Sequence, residues 1–130
     1  MTIDLALLFW SLPLYGLYLG AQSLIFRWHY GIWFAASGRD EPPKPEGALL
    51  GRAERALKNF LETWPAFIIL AVVANFAAPG DALVFWGAIV WYVARAIYLP
   101  LYLFGTFMLR SLVWCVSAIG LGMMFFGVLF

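Results

Sequence analysis

The chain has 130 residues, of which 65% are hydrophobic and only 12% are charged, and its formal net charge is +1. A soluble globular domain is excluded, because apolar runs long enough to cross a bilayer recur along the chain. With so few charges of either sign, no nucleic-acid partner is expected.

Four apolar stretches follow one another, and we predict that each is a transmembrane helix. Their approximate bounds are 5–26, 54–78, 82–104 and 110–130. Each is close to the roughly 20 residues that a ~30 Å hydrocarbon core requires, and none has the short alternating pattern of a membrane barrel. We therefore predict an all-α integral membrane protein, a four-helix bundle in a single domain that covers residues 1–130.

The first span carries no charge and begins just after Asp4. It lacks the basic leader of a secretory signal and exceeds the about 7–15 apolar residues typical of one, so we expect it to remain in the mature protein. Gly16 and Gly20 form a G-x-x-x-G step, which allows close contact with a helix of the same chain or of a neighbour. His29, beside aromatic residues, is interpreted as a polar residue at headgroup level.

A polar loop, residues 37–51, separates the first two spans and contains three prolines, which indicates an exposed and rather stiff connector. Most basic residues lie in or beside this loop, and Arg110 opens the fourth span. By the positive-inside rule, the first and third loops face the cytoplasm, whereas both termini and the turn at 78–81 face the other side. The membrane is expected to be a bacterial inner membrane or one of endoplasmic-reticulum type.

Polar side chains form a ladder in the second span and another in the third. Spacings of three or four residues place the members of each ladder on one stripe of a helix. An ionisable group inside a span is costly, and by default it indicates a functional site. The members are Arg52, Arg55, Asn59 and Glu62 in the second span, and Arg95, Tyr98 and Tyr102 in the third.

The two ladders are predicted to meet at similar depth. At 1.5 Å per residue, Glu62 lies roughly 15 Å along the axis from Arg52, and Arg95 lies about 14 Å from the end of its span near Phe104. These depths predict a buried pair between Glu62 and Arg95. Such a pair can simply fix the register of two helices. The layer holds more cations than one pair needs, however, so it suits an anionic ligand with several carboxylates and one amine.

The fourth span contains Cys115 in an apolar run. A single cysteine forms no internal disulfide and no metal-ligand cluster, so we interpret it as a small core residue and expect no metal site. Ala118 and Gly122 form a small-x-x-x-small step, which again allows close helix contact within or between chains.

Two motifs resemble those of a known family. Residues 55–62, Arg-Ala-Leu-Lys-Asn-Phe-Leu-Glu, are similar to its R-A-x-x-N-x-x-E on the second helix, and residues 95–102 are similar to its R-x-x-Y-x-x-x-Y on the third. Arg110-Ser111 resembles the start of its fourth helix, and Arg27 resembles a base near the end of its first. The family is that of the membrane-associated proteins in eicosanoid and glutathione metabolism, which includes the microsomal glutathione transferases.

The resemblance implies a homotrimer in the bilayer, with glutathione as co-substrate between neighbouring subunits. Arg110 would stabilise the thiolate, with Arg27 and Ser111 as further candidates for that catalytic role. The ladders would bind the rest of glutathione. The carboxylates would go to Arg52, Arg55 and Arg95, the ammonium group to Glu62, and the amides and thiol neighbourhood to Asn59, Tyr98 and Tyr102.

An enzyme is therefore expected, in which the thiolate attacks a lipophilic electrophile or reduces a lipid hydroperoxide. Another low-molecular-weight thiol in place of glutathione remains open. So does a non-catalytic membrane protein of the same fold, either an accessory subunit or a small-molecule binder, whose ladder only stabilises the trimer. A transporter or channel has little support, because four spans show neither repeat symmetry nor broken-helix signals.

Overall fold

The computed structural model describes residues 2–130, apart from the side chain of Phe107. Its helices are α1 (Ile3–Tyr30), α2 (Ile32–Ala36), α3 (Ala48–Ala77), α4 (Ala82–Leu103) and α5 (Phe107–Leu129). Among the described residues there is no strand, and α1, α3, α4 and α5 are long and apolar enough to cross a membrane. The predicted all-α bundle with four spanning helices is confirmed. α1, α3 and α5 begin before the predicted spans, α4 ends one residue earlier than predicted, and α2 is an addition inside the first loop.

Polar side chains cap the first turns of α1 and α4. The Thr2 side chain accepts a hydrogen bond from the Leu5 amide at the start of α1, and Asp81 Oδ1 accepts one from the Val84 amide, 3.0 Å away, at the start of α4. Both side chains satisfy amide groups that a helix leaves unpaired at its first turn. The turn between α3 and α4 is only four residues long, so these two helices run antiparallel.

Aromatic side chains fill the core between α1, α3 and α4. Phe60, Phe67 and Trp91 are fully buried, and the rings of Phe67 and Trp91 stack with their centroids 4.0 Å apart. Tyr18 of α1 is also fully buried and stacks on Phe60 at 4.5 Å. Offset aromatic pairs of this kind add to the energy of area burial. This aromatic core contacts Arg95, the first residue of the ladder on α4, through Tyr18 and Phe60.

Glycines bring α4 and α5 into backbone contact. A Cβ atom on Gly87 would lie 2.7 Å from the Gly120 carbonyl oxygen, and one on Gly120 would lie 2.7 Å from the Trp91 amide nitrogen. The steps predicted for close contact are elsewhere, and Gly16, Gly20 and Gly122 have open space around them. Within the chain, the close contact between α4 and α5 thus depends on Gly87 and Gly120, which lie outside the predicted steps.

The first loop is attached to the end of α1. The His29 Nε2 atom lies 2.7 Å from the Pro45 carbonyl oxygen, and the Arg39 guanidinium lies over the Phe26 ring at 4.2 Å. A cation above an aromatic face is attracted by the ring quadrupole. His29 therefore holds the loop and is not merely an interfacial polar residue.

Candidate functional site

Arg95 is the central polar residue of the bundle. It is fully buried, and its Nη2 atom donates a hydrogen bond of 2.9 Å to Oδ1 of Asn59 on α3. The guanidinium carbon also lies 4.6 Å from the centre of the Tyr98 ring. From α1, the Tyr18 hydroxyl donates to the Arg95 carbonyl at 2.6 Å. Arg95 therefore connects three helices.

The predicted pair between Glu62 and Arg95 is wrong. Glu62 is exposed, and the partner of Arg95 on α3 is Asn59, one turn earlier. Depth along an axis does not fix rotation about it, and residues three apart point about 60° from one another on a helix of 3.6 residues per turn. Arg95 Nε and Nη1 have no hydrogen-bond partner among residues 2–130. The guanidinium carbon lies 5.9, 5.6 and 4.6 Å from the ring centres of Tyr18, Phe60 and Tyr98, whose faces attract the cation.

Tyr102 lies between two arginines. The Arg55 Nε atom donates to the Tyr102 hydroxyl at 3.3 Å, while the Arg110 guanidinium carbon lies 4.6 Å from the centre of the same ring. The Tyr98 ring is 5.5 Å from the Tyr102 ring, so the two phenols are neighbours. A cation–π contact thus holds Arg110 of α5 against Tyr102 of α4, and a hydrogen bond holds Arg55 of α3 against the same residue.

A cavity of about 250 Å³ lies beside these contacts, between α3, α4 and α5. Five predicted site residues line it, which are Asn59, Tyr98, Tyr102, Arg110 and Ser111. Two further residues, Trp114 and Cys115, complete the wall. The prediction that Cys115 is a packed core residue is wrong, because its side chain is exposed. The spacing of four residues from Arg110 to Trp114 and from Ser111 to Cys115 could have indicated both.

The family comparison covers nearly all of this structure. A model of the MAPEG family, the membrane-associated proteins in eicosanoid and glutathione metabolism, matches residues 5–130. The chain belongs to the MAPEG family. No curated protein and no solved structure matches it. The predicted resemblance is confirmed, and MAPEG membership together with four spanning helices makes the chain a multi-pass integral membrane protein. The MAPEG family is associated with glutathione and includes both enzymes and non-catalytic members.

Other predicted site residues of this MAPEG chain lie away from the cavity. Arg52 is half-buried, and its Nη1 atom donates to the Leu103 carbonyl at 3.4 Å, so it binds the end of α4. Arg27 is exposed near the end of α1, where its Nη1 atom donates to the Ser23 carbonyl at 3.2 Å. Neither side chain lines the cavity in the single chain.

Glu62 lines a second cavity, of about 470 Å³, on the side of α3 that faces α1. Its polar neighbours there are Gln22, Glu54 and Lys58. The ladder on α3 therefore divides between two surfaces, with Asn59 in the first cavity and Glu62 in the second. Within residues 2–130, no group of three or more His, Cys, Asp or Glu side chains is placed to hold a metal ion.

Proposed function

We propose that this MAPEG protein is a glutathione-dependent transferase or peroxidase that acts on lipophilic electrophiles or lipid hydroperoxides. The observation that carries the proposal is the cavity in which Arg110, placed against Tyr102, meets Asn59, Tyr98 and Ser111. A cation in such a cavity stabilises a thiolate, which is the reactive form of a thiol. Arg110 is the proposed thiolate-stabilising residue, and Ser111 beside it is a hydroxyl donor to the same sulphur.

Arg95 acts through its neighbours in this proposal. Because Arg95 donates to Oδ1 of Asn59, the amide group of Asn59 is oriented with its nitrogen free to donate to a ligand oxygen. Arg95 is thus a positioning residue that also supplies positive charge behind the cavity wall. Arg55 and Tyr102, which are joined by a hydrogen bond, would bind a glutathione carboxylate.

A homotrimer would complete the site. Glutathione carries an ammonium group, and the acid predicted to bind it, Glu62, does not line the cavity of its own chain. We propose that glutathione lies between neighbouring subunits, so that Glu62, Arg27 and Arg52 reach a ligand shared across the interface. The division of the α3 ladder between two surfaces supports this arrangement.

The proposed reactions differ in what the sulphur attacks. In conjugation, the thiolate sulphur forms a bond to an electrophilic carbon of a substrate from the bilayer, and the displaced group leaves with the bonding electron pair. In reduction, the sulphur attacks the outer oxygen of a hydroperoxide, the oxygen–oxygen bond breaks, and the alkoxide takes a proton. The glutathione sulfenic acid then condenses with a second thiol to give a disulfide and water.

A non-catalytic member of the same family is the second candidate. It is favoured by the contacts of Arg95, which join α1, α3 and α4 through Tyr18 and Asn59. In this case the ladder stabilises the bundle and the trimer, and the cavity binds a small molecule without reaction.

Thermal unfolding of the detergent-purified protein, with and without millimolar glutathione, tests whether the protein binds glutathione. A ligand that binds only the folded state raises stability by RT ln(1 + [L]/Kd). We expect a saturable rise in Tm with glutathione and with its serine-for-cysteine analogue, and its loss in Arg95→Leu. Arg39→Gln, which removes a loop arginine that does not line the cavity, is the matched control. A Tm that glutathione leaves unchanged would contradict the proposal.

Turnover is measured next, with an aryl halide electrophile and an alkyl hydroperoxide. Binding of glutathione with no turnover of either class would favour the non-catalytic member.

A further inference from the structure

Cys115 provides a second thiol in the same cavity as Arg110. It is the only cysteine of the chain, it is exposed, and it lines the cavity together with Arg110, Ser111 and Tyr102. On α5 it lies one turn after Ser111, so both residues face the same space. A glutathione sulphur held by Arg110 would therefore share a volume of about 250 Å³ with the Cys115 sulphur.

The positive charge around this cavity is an observation that is independent of Cys115. Arg95 is fully buried, it contacts the cavity-lining residues Asn59 and Tyr98, and its Nε and Nη1 donors have no partner among residues 2–130. The Arg95 guanidinium lies behind the lining residues, and its positive charge, together with that of Arg110 at the wall, favours an anionic ligand in the cavity. The argument for a ligand beside Cys115 thus does not depend on the cysteine.

We propose that Cys115 is the resolving thiol of hydroperoxide reduction, and that it forms a mixed disulfide with glutathione in the cavity. This inference rests on the proposed function, because it requires glutathione to bind there. Cys115 takes the place of the second glutathione in the condensation step. A resolving thiol on the protein is already positioned beside the sulfenic acid, whereas a second glutathione would have to enter an occupied cavity.

Each step balances. The glutathione thiolate attacks the hydroperoxide, which leaves as an alcohol after protonation, and the glutathione sulphur becomes a sulfenic acid. The Cys115 thiol then attacks that sulphur, a sulphur–sulphur bond forms, and water leaves. A second glutathione thiolate attacks the glutathione sulphur of the mixed disulfide, which releases glutathione disulfide and restores the Cys115 thiol. The sum consumes one hydroperoxide and two glutathione molecules, and yields an alcohol, a disulfide and water.

The test has two parts, and the single cysteine makes both specific. First, an apolar maleimide is reacted with the detergent-purified protein, with and without the serine-for-cysteine analogue of glutathione, which has no thiol to consume the reagent. We expect the analogue to slow labelling of Cys115 at least about tenfold, because it fills the cavity that the thiol lines. Labelling at the same rate when the analogue saturates the Tm shift would overturn the inference, since Cys115 would then lie outside the ligand site.

Second, the protein is mixed with one equivalent of glutathione and excess alkyl hydroperoxide, quenched with acid, and weighed by intact mass spectrometry. The expected species carries one glutathione, is lost on reduction, and is absent in Cys115→Ser. Hydroperoxide turnover should also fall relative to aryl-halide conjugation by about tenfold in Cys115→Ser, because conjugation uses one thiol only. An unmodified protein and an unchanged ratio, with glutathione binding and turnover intact, would reject the role of Cys115 alone. Absence of both binding and turnover would reject the proposed function, and the role of Cys115 with it.

Discussion

The Nη2 atom of Arg95 donates a 2.9 Å hydrogen bond to Oδ1 of Asn59, and this bond joins α4 to α3 in the interior of the bundle. Arg95 is fully buried and has no other side-chain hydrogen bond among residues 2–130. Asn59 therefore supplies the one side-chain hydrogen bond that this buried cation makes among the described residues. We expect replacement of Asn59 to lower the stability of the protein strongly.

Asn59→Ala should destabilise the protein by about 1.5–3 kcal/mol, the range for a hydrogen bond to a charged group. The measurement is equilibrium unfolding in detergent. Asn59→Ala combined with Arg95→Leu is the control, since it removes the cation that would otherwise lack an acceptor. The double variant should be more stable than the sum of the two single changes predicts, and strict additivity would show that the two side chains are not coupled.

Arg110 is expected to act on turnover more than on binding. Arg110→Ala should reduce kcat for conjugation by roughly 10²–10³, the effect of removing one stabilising donor from a developing or reactive anion. The rise in Tm with glutathione should persist, because Asn59, Tyr98 and Arg55 remain. Steady-state kinetics and thermal unfolding measure the two effects separately. Unchanged turnover would remove Arg110 from the proposed mechanism.

Arg110→Lys provides a graded comparison. Lysine keeps the charge but loses the planar group that lies against the Tyr102 ring at 4.6 Å. We expect kcat between those of the wild type and Arg110→Ala. Tyr102→Phe keeps this ring and removes only the hydroxyl that accepts from Arg55, so it should weaken glutathione binding while kcat falls little.

The sequence was sufficient to predict the membrane fold, because the length and hydropathy of an apolar run depend only on which residues follow one another in the chain. Although Glu62 lies on another surface, two steps of the ladders were predictable, since a spacing of four places Asn59 with Arg55, and a spacing of three places Tyr98 with Arg95, on one face. The partner of Arg95 was not. Its identity depends on the rotation of α3 about its own axis, which the aromatic packing of Phe60 and Phe67 against Trp91 determines.

The fourth span shows a different limit of sequence reasoning. Trp114 and Cys115 have ordinary apolar roles in most membrane helices, and the placement of α5 against α4 brings them into one cavity with Tyr98 and Tyr102. That placement depends on the contact between Gly87 of α4 and Gly120 of α5. A small-x-x-x-small step lies within one helix, so it does not indicate which glycines of two helices meet.

The contact between α4 and α5 can be tested with a glycine pair. Gly87→Ala would place a Cβ atom 2.7 Å from the Gly120 carbonyl and 2.9 Å from Met123 Cβ. Overpacking of this kind costs about 1–3 kcal/mol. Gly122→Ala, which meets open space on α5, is the matched control and should be neutral or slightly stabilising. The unfolding free energies of the two variants measure the difference, and equal values would contradict the close contact.

The turn between α4 and α5 should govern the position of Arg52. Gly105 has a φ of +74°, and a Cβ atom on it would lie 2.9 Å from the Arg52 guanidinium carbon. Gly105→Ala therefore combines backbone strain with displacement of the flexible end of the Arg52 side chain. Gly80→Ala in the other turn, at a φ of +78° with open space around it, carries the strain alone.

The difference between Gly105→Ala and Gly80→Ala isolates the contact with Arg52, which holds the end of α4 through the Leu103 carbonyl. We expect the first variant to lose more stability and to reduce the rise in Tm that glutathione gives, because the turn carries α5 and Arg110 with it. The second variant should lose stability yet keep the full response to glutathione. Thermal unfolding with and without ligand measures both effects, and an equal response to glutathione in the two variants would show that this turn does not position the cavity.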